Sequence, residues 1–213
     1  MEIVNEKIEA YCEAHTTPES EVLYALNRHT HINVLRPRML SGHFQGRLLS
    51  MISKIMQPKR ILEIGTYTGY SAICLAEGLK EDGKLITIDL NYELADLVNE
   101  FAEKAGFKNN IELLVGDAKE IIPSLDKSFD LVFIDADKDS YSFYYDLLIE
   151  DLPSGAVIIA DNILWSGKVV EPVSPNDKDT ISLMEFNKKI QDDVRVENVL
   201  LPIRDGLMVI RKK

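Results

Sequence analysis

Hydrophobic positions change rhythm once along this chain, near residue 57. Before that point they recur at helical spacing: Ile3, Val4, Ile8 and Tyr11, then Val22, Leu23 and Leu26. Thr17-Pro18-Glu19 reads as a helix start, with Thr17 as N-cap, Pro18 at the first helical position and acids in the first turn. A third helix is expected over residues 41–56, its apolar face made by Phe44, Leu48, Leu49, Ile52 and Ile55. Gln57-Pro58 ends it, because the residue before a proline is steered out of the helical region.

After residue 57 the apolar residues come in short unbroken runs: 60–64 (RILEI), 84–89 (KLITID), 111–115 (IELLV), 129–134 (FDLVFI) and 156–160 (AVIIA). Helical text lies between them, at 71–79, 93–105, 118–122 and 141–148. Strands alternating with helices predict βαβ units: an α/β fold with a mostly parallel sheet and helices on both faces. A last helix is expected over 180–190, then runs at 195–200 and 207–210. The turn Arg204-Asp205-Gly206 before the final run suits a closing antiparallel strand. Residues 170–180 (VEPVSPNDKDT) read as a flexible loop. The expected organisation is an N-terminal helical extension, 1–57, on a 58–213 domain.

Composition narrows the partners. With 24 Lys and Arg against 35 Asp and Glu, the formal charge of −11 argues against broad nucleic-acid binding, which Lys and Arg mainly supply. The two cysteines, Cys12 and Cys74, sit in helical text without a CxxC or a Cys/His cluster, so neither a disulfide framework nor zinc is expected. The acidic start is not a secretory signal, and no apolar run approaches the roughly 20 residues of a membrane span. The expectation is a soluble cytoplasmic protein.

In open α/β sheets, ligands bind beyond the carboxyl ends of the strands. After the first run comes Glu63-Ile64-Gly65-Thr66-Tyr67-Thr68-Gly69-Tyr70-Ser71. Gly65 and Gly69 permit a tight turn and close backbone approach, but their spacing is neither GxGxxG nor a P-loop. Glu63 would repel phosphate, yet could accept from a ligand ammonium; a plain strand-to-helix turn is the other reading. Asp89, about 20 residues past the glycines, suits two ribose hydroxyls or caps a helix. Gly116-Asp117-Ala118 could border an adenine ring, or again be a cap. Ribose and adenine without pyrophosphate point to S-adenosylmethionine rather than a nicotinamide dinucleotide. The last two parallel runs end in Asp135 and in Asp161-Asn162, which adjacent strands would bring to one rim. Three hard oxygen ligands favour Mg²⁺, Mn²⁺ or Ca²⁺. Lys138 follows three residues after Asp135, either as a working base or as a solvated helix-start lysine.

These segments together resemble the cation-dependent class I O-methyltransferases, the caffeoyl-CoA and catechol O-methyltransferase family of bacterial type. The similarity rests on Met39-Leu40-Ser41, Gln45-Gly46-Arg47-Leu48-Leu49, the Leu62–Ser71 loop, Asp89, Gly116-Asp117-Ala118, Phe133–Tyr141, Ala160–Gly167, Phe186-Asn187 and Pro202 through Leu207. The resemblance implies a Rossmann-like fold with a seven-stranded sheet, its last strand antiparallel, in a homodimer. It implies that Glu63, Gly65, Thr66, Ser71, Asp89 and Ala118 hold S-adenosylmethionine, with Ser41 near its amino-acid end. It assigns a divalent cation to Asp135, Asp161 and Asn162, with Asp135 also close to the cofactor, and makes Lys138 the general base. Met184 replaces a frequent arginine of the family; Asp137 and Ser166 replace an aromatic and a proline that flank the substrate in animal catechol enzymes, and Trp165 could form one substrate wall.

The implied reaction moves a methyl group to a hydroxyl of a catechol-type small phenol. Chelation of two vicinal oxygens by a cation favours the phenolate, whose parent phenol has a pKa near 10. A free lysine is already charged at neutral pH, and a nearby dication favours its neutral form. One rival is methylation of a hydroxylated tRNA base. Residues 28–47 favour it, holding Arg28, Arg36, Arg38, Arg47, His29, His31 and His43 and no acid, whereas the net charge opposes it. Another rival is a non-catalytic nucleotide- or metal-binding module, which has no need of Lys138 beside three metal ligands.

Overall fold

The computed structural model describes residues 4–213; the expectation for Ile3 lies outside them. One seven-stranded sheet has the order β3 (Ile111–Val115), β2 (Lys84–Asp89), β1 (Arg60–Ile64), β4 (Leu131–Ile134), β5 (Val157–Asp161), β7 (Leu207–Lys212), β6 (Val196–Leu201). By its internal contacts the chain divides into two compact units, Lys7–Ala118 and a second containing Lys119–Lys213.

The first unit contains α1 (Glu6–Ala14), α2 (Glu21–Asn33), α3 (Gly42–Met56), β1 (Arg60–Ile64), α4 (Tyr70–Ala76), β2 (Lys84–Asp89), α5 (Ala95–Lys104) and β3 (Ile111–Val115). The three strands coincide with the apolar runs. They pair in parallel, Ile64 beside Ile88 and Asp89 beside Val115, so Gly65, Asp89 and Gly116 leave the sheet at one end.

Two helix expectations are corrected. The N-cap of α2 is Ser20, whose hydroxyl accepts from the Leu23 amide, and not Thr17. The Thr17 carbonyl instead pairs with the His43 ring, and the Glu19 carboxylate accepts from Asn27 Nδ2 and the Tyr70 hydroxyl. Those side-chain bonds hold 17–20 as a connector. The buried face of α3 is Gln45, Gly46, Leu49, Ser50 and Ser53. Of the expected apolar face only Leu49 is buried, and Ile55 is 75% exposed. The reason is the contact with α4, which needs small and polar residues. A Cβ on Gly46 would lie 2.6 Å from the Tyr70 ring. Glu77, at the end of α4, accepts from Ser50, Lys54 and both terminal nitrogens of Arg47. Burial alone would raise the Glu77 carboxyl, but the hydrogen bonds from Arg47, Lys54 and Ser50 outweigh it and hold it at about 2. Cys74 is wholly buried, and burial pushes its thiol up to about 12 against the pull of Arg47; Cys12 is also a free thiol.

After α6 (Ala118–Ile121) come β4 (Leu131–Ile134), α7 (Tyr141–Ile149), β5 (Val157–Asp161), α8 (Lys178–Asp192), β6 (Val196–Leu201) and β7 (Leu207–Lys212). β4 and β5 are parallel, and β7 runs antiparallel to both β5 and β6, as the terminal turn suggested. The fourth run enters the sheet only at Leu131; Phe129 is buried in the turn before it. The fifth is shifted by one residue, which makes Asp161 the last residue of β5, opposite Leu207. Residues 171–177 are irregular, and Asp177 caps α8 through the Thr180 amide. No helix among the described residues is long and apolar enough to cross a membrane.

Candidate active site

In the first unit the glycine loop is built around two carboxylates. The Gly65 amide donates to the Ile88 carbonyl, and Gly65 has φ +98°, a conformation that glycine adopts without strain. Next, the Thr66 and Tyr67 amides both donate to Asp89 Oδ2, at 2.9 and 2.8 Å, while the Asn91 amide donates to Oδ1 at 2.8 Å. Asp89 thus clamps the loop. A carboxylate has roughly four acceptor positions, so Oδ1 retains capacity for a further donor. Beside it, fully buried Glu63 accepts from Thr87 Oγ1 at 2.6 Å, and Thr87 shares a hydrogen bond with Thr66 Oγ1. A carboxyl group held in place by a hydroxyl relay at a strand end can accept a hydrogen bond from a ligand ammonium. Ser71 lies in the first turn of α4, Ala118 opens α6, and Ser41 precedes α3; all three are buried.

In the second unit the two strand ends meet. Ile134 pairs with Ala160, so Asp135 and Asp161 leave adjacent strands at the same end. Lys138, in a short 3-10 turn, reaches back across them. Its Nζ donates to Asp135 Oδ1 at 3.2 Å, to Asn162 Oδ1 at 2.7 Å and to the Tyr141 hydroxyl at 2.7 Å. Tyr141 in turn donates to the Asp161 backbone carbonyl at 3.1 Å. Asp161 Oδ1 accepts from the Asn162 amide at 2.6 Å, with Asn162 in the left-handed region at φ +59°. The structure therefore brings Asp135, Lys138, Asp161 and Asn162 into one cluster.

The cluster has the chemistry of a hard-cation site: two carboxylates and an amide oxygen. The Lys138 ammonium lies between Asp135 Oδ1 and Asn162 Oδ1, a positive charge drawn to the oxygens that a divalent ion would use. No group of three His, Cys, Asp or Glu side chains able to hold a metal occurs among the described residues, so any cation here relies on the Asn162 amide as third ligand.

A second turn braces this rim. The Ile163 and Leu164 amides donate to the carbonyls of Gly206 and Asp205, and the Ser166 amide donates to the Asp205 carboxylate. Trp165 and Ser166 are both held at positive φ, and Lys138 Nζ lies 5.8 Å from the Trp165 ring centre. Burial raises the Asp205 carboxyl above its ordinary range, against the backbone hydrogen bond from Ser166 and the charges of Lys138 and Arg204. Burial likewise holds the Tyr141 hydroxyl far above its ordinary range, with Asp135 and Asp161 adding to the effect.

Sequence reasoning missed Thr87, Tyr141 and Asp205 as members of this machinery. Each left a trace: Thr87 precedes Asp89 by two on a strand and so shares its face, and Tyr141 is one helical turn beyond Lys138. Asp205 was read as a turn former and as part of the matching Pro202–Leu207 segment, without a role of its own.

A mostly parallel sheet with a carboxylate-clamped glycine loop at its strand ends defines a Rossmann-like architecture that takes its ligand beyond the strand ends. Comparison with known proteins narrows the class: the family model described as O-methyltransferase matches residues 13–213. A caffeoyl-CoA O-methyltransferase of Medicago sativa is 36% identical over 185 residues, covering 82% of this chain and 75% of its own. The solved O-methyltransferase from Bacillus cereus, in complex with SAH, superposes with a TM-score of 0.88 at 28% identity, with 97% of each chain covered. TomG from Streptomyces achromogenes, an O-methyltransferase involved in tomaymycin synthesis and solved with SAM, has a TM-score of 0.87 at 28% identity, covering 97% of this chain and 96% of its own. The chain belongs to the O-methyltransferase family and is an S-adenosylmethionine-dependent enzyme of the caffeoyl-CoA O-methyltransferase group.

Proposed function

We propose that the enzyme is cation-dependent and methylates a hydroxyl of a catechol-type small phenol, such as catechol, caffeate or a caffeoyl-CoA-like ester. The observation that carries this reading is the Asp135–Lys138–Asn162 cluster, in which one amine and two hard oxygens lie within hydrogen-bond distance. Bound S-adenosylmethionine supplies an electrophilic methyl group on a cationic sulfur. Asp89, through the remaining capacity of Oδ1, would accept from its ribose, and Glu63, Gly65, Thr66, Ser71, Ser41 and Ala118 would line its other parts. When a divalent cation, Mg²⁺ first and Mn²⁺ or Ca²⁺ otherwise, is held by Asp135, Asp161 and Asn162, the chemistry supplied is Lewis-acid stabilisation of a phenolate. Lys138 Nζ would accept the phenolic proton, and Trp165 would offer one wall to the ring. The remainder of the rate comes from positioning.

Small phenols are preferred over tRNA because part of the basic 28–47 segment is already engaged. Arg47 is paired with Glu77, and the His31 and His43 rings pair with backbone carbonyls. The net charge of −11 points the same way. A homodimer is part of this reading, supported by the exposed apolar residues Leu35, Met51 and Ile55 of the first unit. The deciding experiment follows labelled methyl from S-adenosylmethionine into catechol, caffeate, caffeoyl-CoA and bulk tRNA, with and without chelator. Transfer to tRNA alone, or undiminished transfer in chelator, overturns the reading.

A further inference from the structure

Nζ of Lys138 has three acceptors, and they differ in kind. Asp135 and Asn162 belong to the proposed cation ligand set; the third, the Tyr141 hydroxyl, does not. The Tyr141 hydroxyl has one proton, and that proton is directed to the Asp161 backbone carbonyl at 3.1 Å. It can therefore offer only a lone pair to Lys138. The tyrosine has no freedom to do otherwise: it is completely buried, and its ring packs edge-on against Phe186 with centroids 5.6 Å apart.

We propose that Tyr141 is a positioning residue for Lys138, acting by accepting one N–H of the amine. One N–H of Nζ directed at the Tyr141 hydroxyl, 2.7 Å away, fixes where the nitrogen sits in the cluster. Its position is then set by the fold, through the Asp161 carbonyl and the Phe186 packing, rather than by the flexible lysine stem. The same hydroxyl links the end of β5, which carries Asp161 and Asn162, to the lysine that follows β4. Tyr141 touches neither substrate nor cofactor in this role and is not itself a catalytic residue.

This inference rests on the reading of Lys138 as the base, and its test separates the two. Tyr141→Phe keeps the ring and its packing on Phe186 and removes only the hydroxyl. It is expected to lower kcat for catechol about tenfold, with KM and S-adenosylmethionine affinity unchanged within about twofold. In a Lys138→Ala background the same substitution is expected to change kcat by less than about twofold, because the group it acts through is gone. Equal losses from Tyr141→Phe in both backgrounds, or no loss in either, would overturn the positioning role while leaving the base assignment intact. A silent Lys138→Ala would remove the base assignment and this inference together. Far-UV circular dichroism and cofactor titration verify folding, and Tyr141→Met supplies a second hydroxyl-free variant if phenylalanine destabilises the site.

Discussion

Gly206 faces Leu164 so closely that a Cβ built on it would lie 2.5 Å from Leu164 Cγ. With φ at +89°, Gly206 also occupies the left-handed region that side chains disfavour. The turn that contains it supplies two carbonyls and a carboxylate to the segment from Ile163 to Ser166, which follows Asn162 directly and carries Trp165 and Ser166 at positive φ. Gly206→Ala is therefore expected to displace this segment and to destabilise the protein by about 1–3 kcal/mol, the usual cost of overpacking. Trp165 is the sole tryptophan, so its emission reads the displacement directly. An unchanged emission maximum and melting temperature would show that the turn does not brace the rim.

The Glu77 network makes a prediction about acid stability. Its folded carboxyl titrates at about 2, below the ordinary value of about 4.3 in the unfolded chain. A depressed folded pKa contributes stability above the unfolded value and loses it as pH falls through the folded one. The contribution is thus complete above about pH 5 and disappears between roughly pH 5 and 2. Glu77→Gln should lower the urea midpoint at pH 7, and the gap to the parent protein should close as pH falls towards 2. A gap of constant size across that range would mean that the charge contributes nothing.

How much of this was legible beforehand depends on what makes each element recognisable. β1, β2 and β3 are short apolar runs that end in glycine or an acid, and buried parallel strands have that signature. Their ends located Gly65, Asp89 and Gly116 correctly. The face of α3 was misread because periodicity counts apolar residues, whereas its contact with α4 is made by Gly46, Ser50, Ser53 and the Arg47–Glu77 pair. Ser20 replaced Thr17 as N-cap because Glu19 was claimed by Tyr70, 51 positions away, and no local rule carries that information. Tyr141 was invisible as a partner of Lys138 for a related reason: an aromatic one turn along a helix reads as core, and only the folded chain places its hydroxyl on an amine.

The clamp formed by Asp89 sharpens the cofactor prediction. Its carboxylate accepts from three backbone amides, and in the proposed function the remaining capacity of Oδ1 takes a ribose hydroxyl. Asp89→Ala is expected to weaken S-adenosylmethionine binding about tenfold to a hundredfold, from one or two charge-assisted hydrogen bonds. Asp89→Asn should be nearly as damaging, because an amide turns one acceptor into a donor that faces N–H groups. Calorimetry giving parental affinity for both variants would remove Asp89 from the cofactor site.

Cation dependence is tested by chelation. Activity is expected to vanish in EDTA and to return with Mg²⁺ or Mn²⁺. Asp161→Ala should abolish the recovery; melting monitored by circular dichroism should show a folded protein, since the residue ends a strand and contributes little to the core. Full turnover in EDTA contradicts the ligand assignment.

The acceptor prediction follows from the number of oxygens that the site can engage. A catechol presents two vicinal oxygens to a cation, whereas a monophenol presents one and loses both orientation and part of the charge stabilisation. The catechol should therefore exceed its mono-hydroxyl analogue by orders of magnitude in kcat/KM, while a site that merely stacks an aromatic ring on Trp165 would separate them by only a small factor. Lys138→Ala should lower kcat more than it raises KM, because proton removal belongs to the transition state. As pH rises, the phenol ionises without help, so the defect should shrink towards the phenolic pKa near 10. Monophenols reacting as fast as catechols would remove the chelation step, and a Lys138→Ala defect that stays constant with pH would remove the lysine from proton transfer.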